Sequence, residues 1–536
     1  MADSADRSDG AGGGGAGGNL APHRRVRFSC EQHGTFRSEH VPDPNIILIT
    51  LDTLRADRVG AMRNGHHLTP NLSALGDAGS VFTRAVAAGV PTFFGFPPMF
   101  RGGGALDAGK SIGIGPDDVS FVEVLAQRGY RTAAVVASNP YLSRYYGYDA
   151  GFQVFDDSYA TRLGERQKRQ VRSPVRVVRR IAGDGITDRL KRAKAKLNYA
   201  RECMKGANPA LHEGSRAEAL TARALSLIAE TEGEEPFFLW LHYMDIHGYF
   251  YATQADRLKA LGRRGPWADA VVRWKRFRYV DRWTRQIVRT QEVGPDAEVP
   301  HTEQDERYIS GFYDASVMYT DRCLGPLLDW VTSSGRTVAL ITADHGEQFY
   351  DHGGLGHAPL SLYEELARVP LLLYGPGVAV GEDSRWVSHS AIPATLLELA
   401  GAPPTAGPTS GMAQARSLLA DDSSEAPVLT EALYGVGAPF PGHRFPDADL
   451  LLSCRKGRHK LVWCEATGSE KLFDLEADPA EKENLAGRPG LEAIESSLRA
   501  VIRDRSRGVA VLDERAKLSE RVRRLGRSLG LAGSKP

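Results

Sequence analysis

Cysteine is scarce in this 536-residue chain: Cys30, Cys203, Cys323, Cys454 and Cys464 are odd in number, far apart and never arranged as CxxC. That excludes a disulfide framework and a zinc knuckle as the basis of the fold. Apolar runs of the ~20 residues needed to cross a bilayer are also missing, so no spanning segment is expected. The opening MADSADRSDGAGGGGAGG lacks the basic start and apolar core of a secretory leader, which makes the cytoplasm, with reduced thiols, the expected location. There is little net charge either: 67 basic residues against 66 acidic leave +1. No overall field argues for a nucleic-acid partner, and none is expected; any anionic ligand has to be argued from local charge.

What is present is an ordinary globular composition in a chain too long for one simple core, so two packed units are expected. Residues 1–41 are too poor in apolar groups to offset the entropy of ordering and read as a low-complexity tail. From Pro44 onward, short β-branched runs alternate with helical periodicities. The strand candidates are Asn45–Leu51, Thr132–Ala137, Pro236–His242, Thr337–Thr342 and Val369–Tyr374. They are continuously apolar, which suits a sheet covered on both faces. Helical spacing over Asp118–Arg128 and Ser215–Thr231 completes an α/β sandwich with a mostly parallel sheet. The Pro/Gly cluster Gly401–Pro408 marks a boundary near residue 402. Beyond it, strands at Val428–Ala432 and Lys460–Cys464 predict a smaller α+β unit over 403–500, followed by a basic helical tail over 501–536.

Acids and imidazoles fall at strand ends. Asp52 follows the first run, Asp245 and His247 follow Pro236–His242, and Asp344 and His345 follow Thr337–Thr342. Ligands of open α/β sheets bind beyond the carboxyl ends of the strands. One such Asp is a turn former; three strands ending this way make a metal-capable edge. Carboxylates with one imidazole suit Ca²⁺, Mn²⁺, Mg²⁺ or Zn²⁺.

The strings PNIILITLDTLRAD, GVPTFFGFPPMFRGG, GYRTAAV, GFQVFDD, TADHGEQFYDHGGLGH, LYEELARVPLLLYGPG, ATLLELAG and LFDLEADPAEKENLA occur in one order. Together, over Asp43 to Leu485, they resemble the sulfatase branch of the alkaline-phosphatase superfamily. The resemblance implies an alkaline-phosphatase-like αβα sandwich and one divalent ion held by Asp52, Asp344, His345 and the nucleophile oxygen. It also implies hydrolysis of a sulfate or phosphate ester.

The departures from that family are specific. The position of the Cys or Ser that becomes formylglycine is Thr92, in the run Thr92-Phe93-Phe94-Gly95-Phe96. Threonine carries a methyl on Cβ, so oxidation would give a ketone and never the aldehyde. Thr92 instead resembles the direct threonine nucleophile of phosphodiesterases, phosphopentomutases and phosphoglycerol transferases. The signature's arginine is Phe96, the Lys-Trp-His triplet falls on Ala137-Ser138-Asn139, and a lysine is replaced by His357. Much of the cationic cradle for a sulfate group is therefore altered, which favours phosphoester or phosphodiester chemistry. Capping of the following helix is the bland role for Thr92.

His247 and His357 are the expected contacts of the transferred group or acid for the leaving oxygen. Asn139 and Asp245 are expected to bind substrate. A second ion on Asp245, His247 and His357 is the alternative, as in two-metal relatives. His242, His352 and Arg55 read as supporting residues. Gly104-Ala-Leu-Asp-Ala-Gly109-Lys110-Ser111 spells a P-loop, but it follows a helix end and no helix starts promptly after it, so it reads as an ordinary loop. A basic helical insertion at about 158–210 reads as a solvated face, with a lid over an anionic substrate as its functional alternative. The expected substrate is a small-molecule or anionic-polymer ester. Phosphoryl transfer to an alcohol and a non-catalytic binding protein on the same fold are the competing functions.

Overall fold

A computed structural model describes residues 43–115, 117–157, 216–231, 235–249, 252–293, 298–402, 416–420, 426–436, 445 and 447–528. The expected tail, the basic insertion and most of the Pro/Gly boundary lie outside the described residues. The described residues form one compact unit.

Its centre is an eight-stranded sheet made of β1 (Asn45–Leu51), β2 (Ser80–Val86), β3 (Arg131–Val136), β4 (Val154–Asp157), β5 (Phe237–Tyr243), β6 (Thr337–Thr342), β7 (Leu371–Tyr374) and β8 (Gly381–Ser388). The order across the sheet is β8-β2-β7-β6-β1-β5-β3-β4. All neighbours are parallel except β7, which runs against both β2 and β6. Every residue of β1, β5 and β6 is buried. This is why their sequences run apolar without alternation. Removing each Ile or Leu of β1 from water contributes roughly 1.5–3 kcal/mol.

The helices are α1 (Pro70–Asp77), α2 (Thr92–Arg101), α3 (Phe121–Gln127), α4 (Ala217–Ala229), α5 (Gln254–Ala260), α6 (Ala268–Val293), α7 (Glu303–Ser334), α8 (Ile392–Leu399) and α9 (Glu492–Ser528). Helices α1, α4, α5 and α6 gather around α7, whereas α2, α3 and α8 pack on one another. The expected parallel α/β architecture is thus present, with strand ends shifted by a residue or two. The edge strands β4 and β8 and the half-buried β2 escaped the sequence reading because polar residues interrupt their apolar runs.

A second, antiparallel sheet of β9 (Val428–Leu433), β10 (Leu450–Lys456), β11 (His459–Cys464) and β12 (Ser469–Asp474) packs against α9. It is tied to the main sheet where Glu431 N–H donates to Ala88 O at 3.0 Å and Val90 N–H to Glu431 O at 3.2 Å. Helix α9 runs unbroken through residue 500, so the expected basic tail begins as part of that helix. No helix among the described residues is long and apolar enough to cross a membrane.

Candidate metal and nucleophile site

The carboxyl ends of β1 and β6 lie side by side because the two strands pair in register, Thr50 against Thr342. Asp52 therefore emerges next to Asp344. Thr53 takes a left-handed backbone (φ 62°), a costly choice for a β-branched residue. That turn sends the Thr53 N–H to Asp344 Oδ1 at 3.0 Å, and the Tyr313 hydroxyl holds Thr53 O at 2.8 Å. The strain at Thr53 is offset by locking Asp52 and Asp344 into one edge.

Asp344 Oδ1 also accepts from His345 N–H at 2.9 Å. His345 Nδ1 lies 2.7 Å from Gly346 O, so it donates there and leaves the Nε2 lone pair facing the site. Helix α2 starts at Thr92, placing the Thr92 hydroxyl 3.3 Å from His345 Nε2. A side chain at Gly95 would meet Asp344 O at 2.9 Å, so glycine is what lets the first turn of α2 press onto the end of β6.

Among the described residues, Asp52, Asp344 and His345 form a cluster whose ligand atoms lie within 4.8 Å of one another, all fully buried. Asp52 Oδ1 and Asp344 Oδ2 are buried without hydrogen-bond partners. Two orphaned carboxylate oxygens facing an imidazole lone pair are the donor set of a divalent cation, so the residues fit the expected ion. The remaining oxygen, Asp52 Oδ2, is held by Asn139 Nδ2 at 3.2 Å and lies 3.4 Å from His242 Nε2. Burial pushes the Asp52 carboxyl upward, but His247, His242 and His345 together pull it below the usual carboxylate range.

His357 and His247 stand beside this cluster. The His357 ring centroid is 4.7 Å from that of His345 and 5.0 Å from that of His247. Burial opposes charge on His357, yet the Glu347 carboxylate beside Nδ1 outweighs it and lifts the imidazole to about 9. Burial keeps His247 below the ordinary imidazole value despite the Asp52 charge. The site therefore holds one charged and one neutral histidine at neutral pH.

Two expected substrate contacts have partners within the protein. Asn139 is engaged at both ends, its Nδ2 on Asp52 and its Oδ1 accepting from Tyr141 N–H at 3.0 Å, so it orients a metal ligand. Asp245 is fully buried on the far side of its turn, where Ala217, Arg216 and Glu218 at the start of α4 act on it. It does not join His247 and His357, and a second ion on those three residues has no geometric basis here. His352 is likewise elsewhere, 2.7 Å from Glu365 and stacked on Tyr363. Arg55 pairs with Asp57 and Asp351. Sequence reasoning missed Glu347 and Thr53. Glu347 sits two residues after His345, and its acidic side chain was the available signal.

Choline-sulfatase from Rhizobium meliloti (strain 1021) is 34% identical over 193 residues, covering 35% of each chain. Arylsulfatase K from Danio rerio is 40% identical over 199 residues, also 35% of each. The chain thus matches about a third of the length of these curated relatives. A multifunctional alkaline phosphatase superfamily protein, PehA from Trinickia caryophylli, is 28% identical over 298 residues, covering 51% of this chain and 56% of that one. Among solved structures, phosphonate monoester hydrolase of Agrobacterium radiobacter superposes with TM-score 0.55 at 18% identity, covering 87% of this chain and 96% of that one. A protein solved with its substrate D-glucosamine-2-N,6-O-disulfate gives TM-score 0.59 at 15% identity, covering 88% and 99%. These two show the fold. The sulfatase family profile matches residues 44–402, the span that carries every residue of the cluster, and this chain belongs to the sulfatase family.

Proposed function

We propose that this chain is a metal-dependent hydrolase of monoanionic esters, with Thr92 as nucleophile and phosphodiesters preferred over sulfate monoesters. The observation that carries the reading is the Thr92 hydroxyl 3.3 Å from His345 Nε2, at the edge of a buried Asp52–Asp344–His345 donor set. Those three residues and the Thr92 oxygen would hold the ion, whether Ca²⁺, Mn²⁺, Mg²⁺ or Zn²⁺. A divalent ion there lowers the pKa of a neighbouring hydroxyl and offsets charge on the ester oxygens.

In the first step Thr92 Oγ1 forms a bond to phosphorus while the bond to the leaving oxygen breaks in line, and the Thr92 proton passes to solvent. His357, charged at neutral pH and anchored through Nδ1 on Glu347, gives its Nε2 proton to the leaving oxygen, which departs as an alcohol. In the second step water attacks the same phosphorus, the threonyl bond breaks, and the water proton restores His357. Thr92 is reprotonated from solvent.

The preference for monoanionic phosphorus esters rests on what surrounds the site. Among the described residues, the largest influences on Asp52, His247, Glu347 and His357, burial apart, come from imidazoles, carboxylates and the Tyr249 hydroxyl rather than from lysine or arginine. Threonine at position 92 provides an alkoxide without oxidation to an aldehyde. The relatives named choline-sulfatase and arylsulfatase K keep sulfate esters as the competing substrate class.

Wild type and Thr92→Ala, each loaded with metal, are to be compared on bis(p-nitrophenyl) phosphate, p-nitrophenyl phosphate and p-nitrophenyl sulfate. The diester is expected to be cleaved best, with Thr92→Ala at least a thousandfold slower on every ester. Equal rates for the two proteins would refute the nucleophile, and fastest turnover of the sulfate would refute the phosphorus preference.

A further inference from the structure

A cleft of about 940 Å³ runs between α6 and residues 299–305. Its charged lining consists of Lys275, Arg278, Arg282, Arg285 and Arg289 against one acid, Asp305. These cations recur every three or four residues, so they share one face of α6. From Lys275 to Arg289 the row spans about 21 Å at the rise of an α-helix. The chain as a whole carries only +1, so this is local concentration and not general basicity.

Part of the row is spoken for. Arg282 pairs with Asp305 at 2.5 Å and Lys275 donates to Gln304 Oε1 at 3.0 Å. Arg278 and Arg289 lie on the exposed side of the helix. The far end of α6 reaches the catalytic edge. Thr290 Oγ1 accepts from Leu355 N–H at 3.0 Å, and a side chain at Gly356, one residue before His357, would meet Ile287 at 3.2 Å.

We infer that this cleft is a binding site for a linear anionic polysaccharide, gripped through repeated sulfate or phosphate groups by the α6 cations. The concave shape and the periodic row of cations suit a single extended polyanion that follows the helix. Single-stranded nucleic acid gains much of its affinity from stacking successive bases on aromatic platforms. Among the described lining residues Trp274, 57% exposed, offers such a face at one end, whereas Tyr279 is already stacked on Tyr308 at 5.2 Å. Charge, not stacking, is what the cleft supplies. Binding there is independent of the chemistry at Thr92.

The test is a titration of the full-length protein with a fluorescent dextran sulfate oligosaccharide, with uncharged dextran, oligo(dT) of equal charge and phosphatidylserine vesicles alongside. Wild type is expected to bind the sulfated oligomer in a salt-dependent way and the uncharged one not at all. Arg278→Glu with Arg289→Glu is expected to weaken binding at least tenfold. Arg503→Glu with Arg507→Glu, the same charge change on exposed positions of α9, is expected to leave it within twofold. Equal losses in the two double variants, or none in either, would overturn the site. Tighter binding of oligo(dT) or of vesicles than of the oligosaccharide would overturn the ligand class. A circular-dichroism melt unchanged in both variants keeps a loss of binding attributable to the cleft.

Discussion

His357 Nδ1 lies 3.1 Å and 3.2 Å from the two oxygens of Glu347, a carboxylate buried at the end of the β6 edge. Burial raises the Glu347 carboxyl, and His357 with Tyr249 more than reverses it, so the pair is ionic at neutral pH. The His357 value of about 9 means that an acid role persists until the pH rises through that value. Glu347→Gln removes the partner, and the His357 pKa falls. The expected result is a basic limb of the kcat/KM–pH profile moved down by at least one unit, with the acidic limb little changed. A basic limb that stays in place would remove His357 from the acid role. The stability sign agrees: the ion pair helps folding fully below the free-histidine value and is lost as pH rises through about 9.

The orphaned Asp52 Oδ1 and Asp344 Oδ2 predict a strong link between metal and stability. Without an ion, two carboxylates are buried at one edge with too few donors. Adding metal at a hundred times its Kd contributes about 2.7 kcal/mol by mass action. Wild-type Tm is expected to rise by several degrees on metal titration and to fall with a chelator. Asp344→Asn is expected to show no such rise and to lose activity by at least a thousandfold. An unchanged wild-type Tm across the titration would refute the metal site.

Phe96 stands where the resemblance to sulfatases leads one to expect an arginine, and it sits among aromatic rings. It is fully buried, 5.1 Å from the His242 ring and 5.7 Å from Trp240. Restoring the charge by Phe96→Arg leaves an unpaired guanidinium in that aromatic cluster. The expected cost is at least about 3 kcal/mol, read by urea unfolding or as insoluble protein. Phe96→Leu, which keeps the site apolar, is expected to cost no more than about 1.5 kcal/mol. A soluble Phe96→Arg protein with wild-type stability would show that the cavity accommodates the family's charge after all.

That Asp52, Thr92, Asp344, His345, His247 and His357 come together at one sheet edge was readable from the chain, because strand ends and motif order are local properties. The protein partners of Asn139 and Asp245 were not legible, for a common reason. Both follow strands of the sheet, but which way a side chain leaves a turn depends on contacts distant in sequence. Asn139 turns to Asp52 across 87 residues, and Asp245 turns toward the start of α4. Helix α6 was not read at all, since seven Arg or Lys in 26 residues obscure its apolar stripe. The cleft that it lines exists only once residues 299–305 fold back beside it.

Asp245 gives the clearest dependence of stability on pH. It is fully buried, neither oxygen meets a hydrogen-bond donor in good geometry, and burial lifts its carboxyl to about 7. In the unfolded chain the same group titrates near ~3.9. Between those values the folded state binds more protons, so folding stability falls as pH climbs from about 4 to about 7. Burying the charge above pH 7 costs at most about 4 kcal/mol, since each pKa unit corresponds to about 1.4 kcal/mol. Asp245→Asn keeps the shape and removes the titration. The variant is therefore expected to be more stable than wild type at pH 8 and to lose that advantage at pH 5, as measured by urea unfolding at both values. Activity on the best ester at pH 8 is expected to stay within a few fold of wild type, because the side chain points away from Thr92 and toward α4. A stability difference that does not depend on pH would show that Asp245 is not protonated in the fold, and a thousandfold loss of activity would return it to the site.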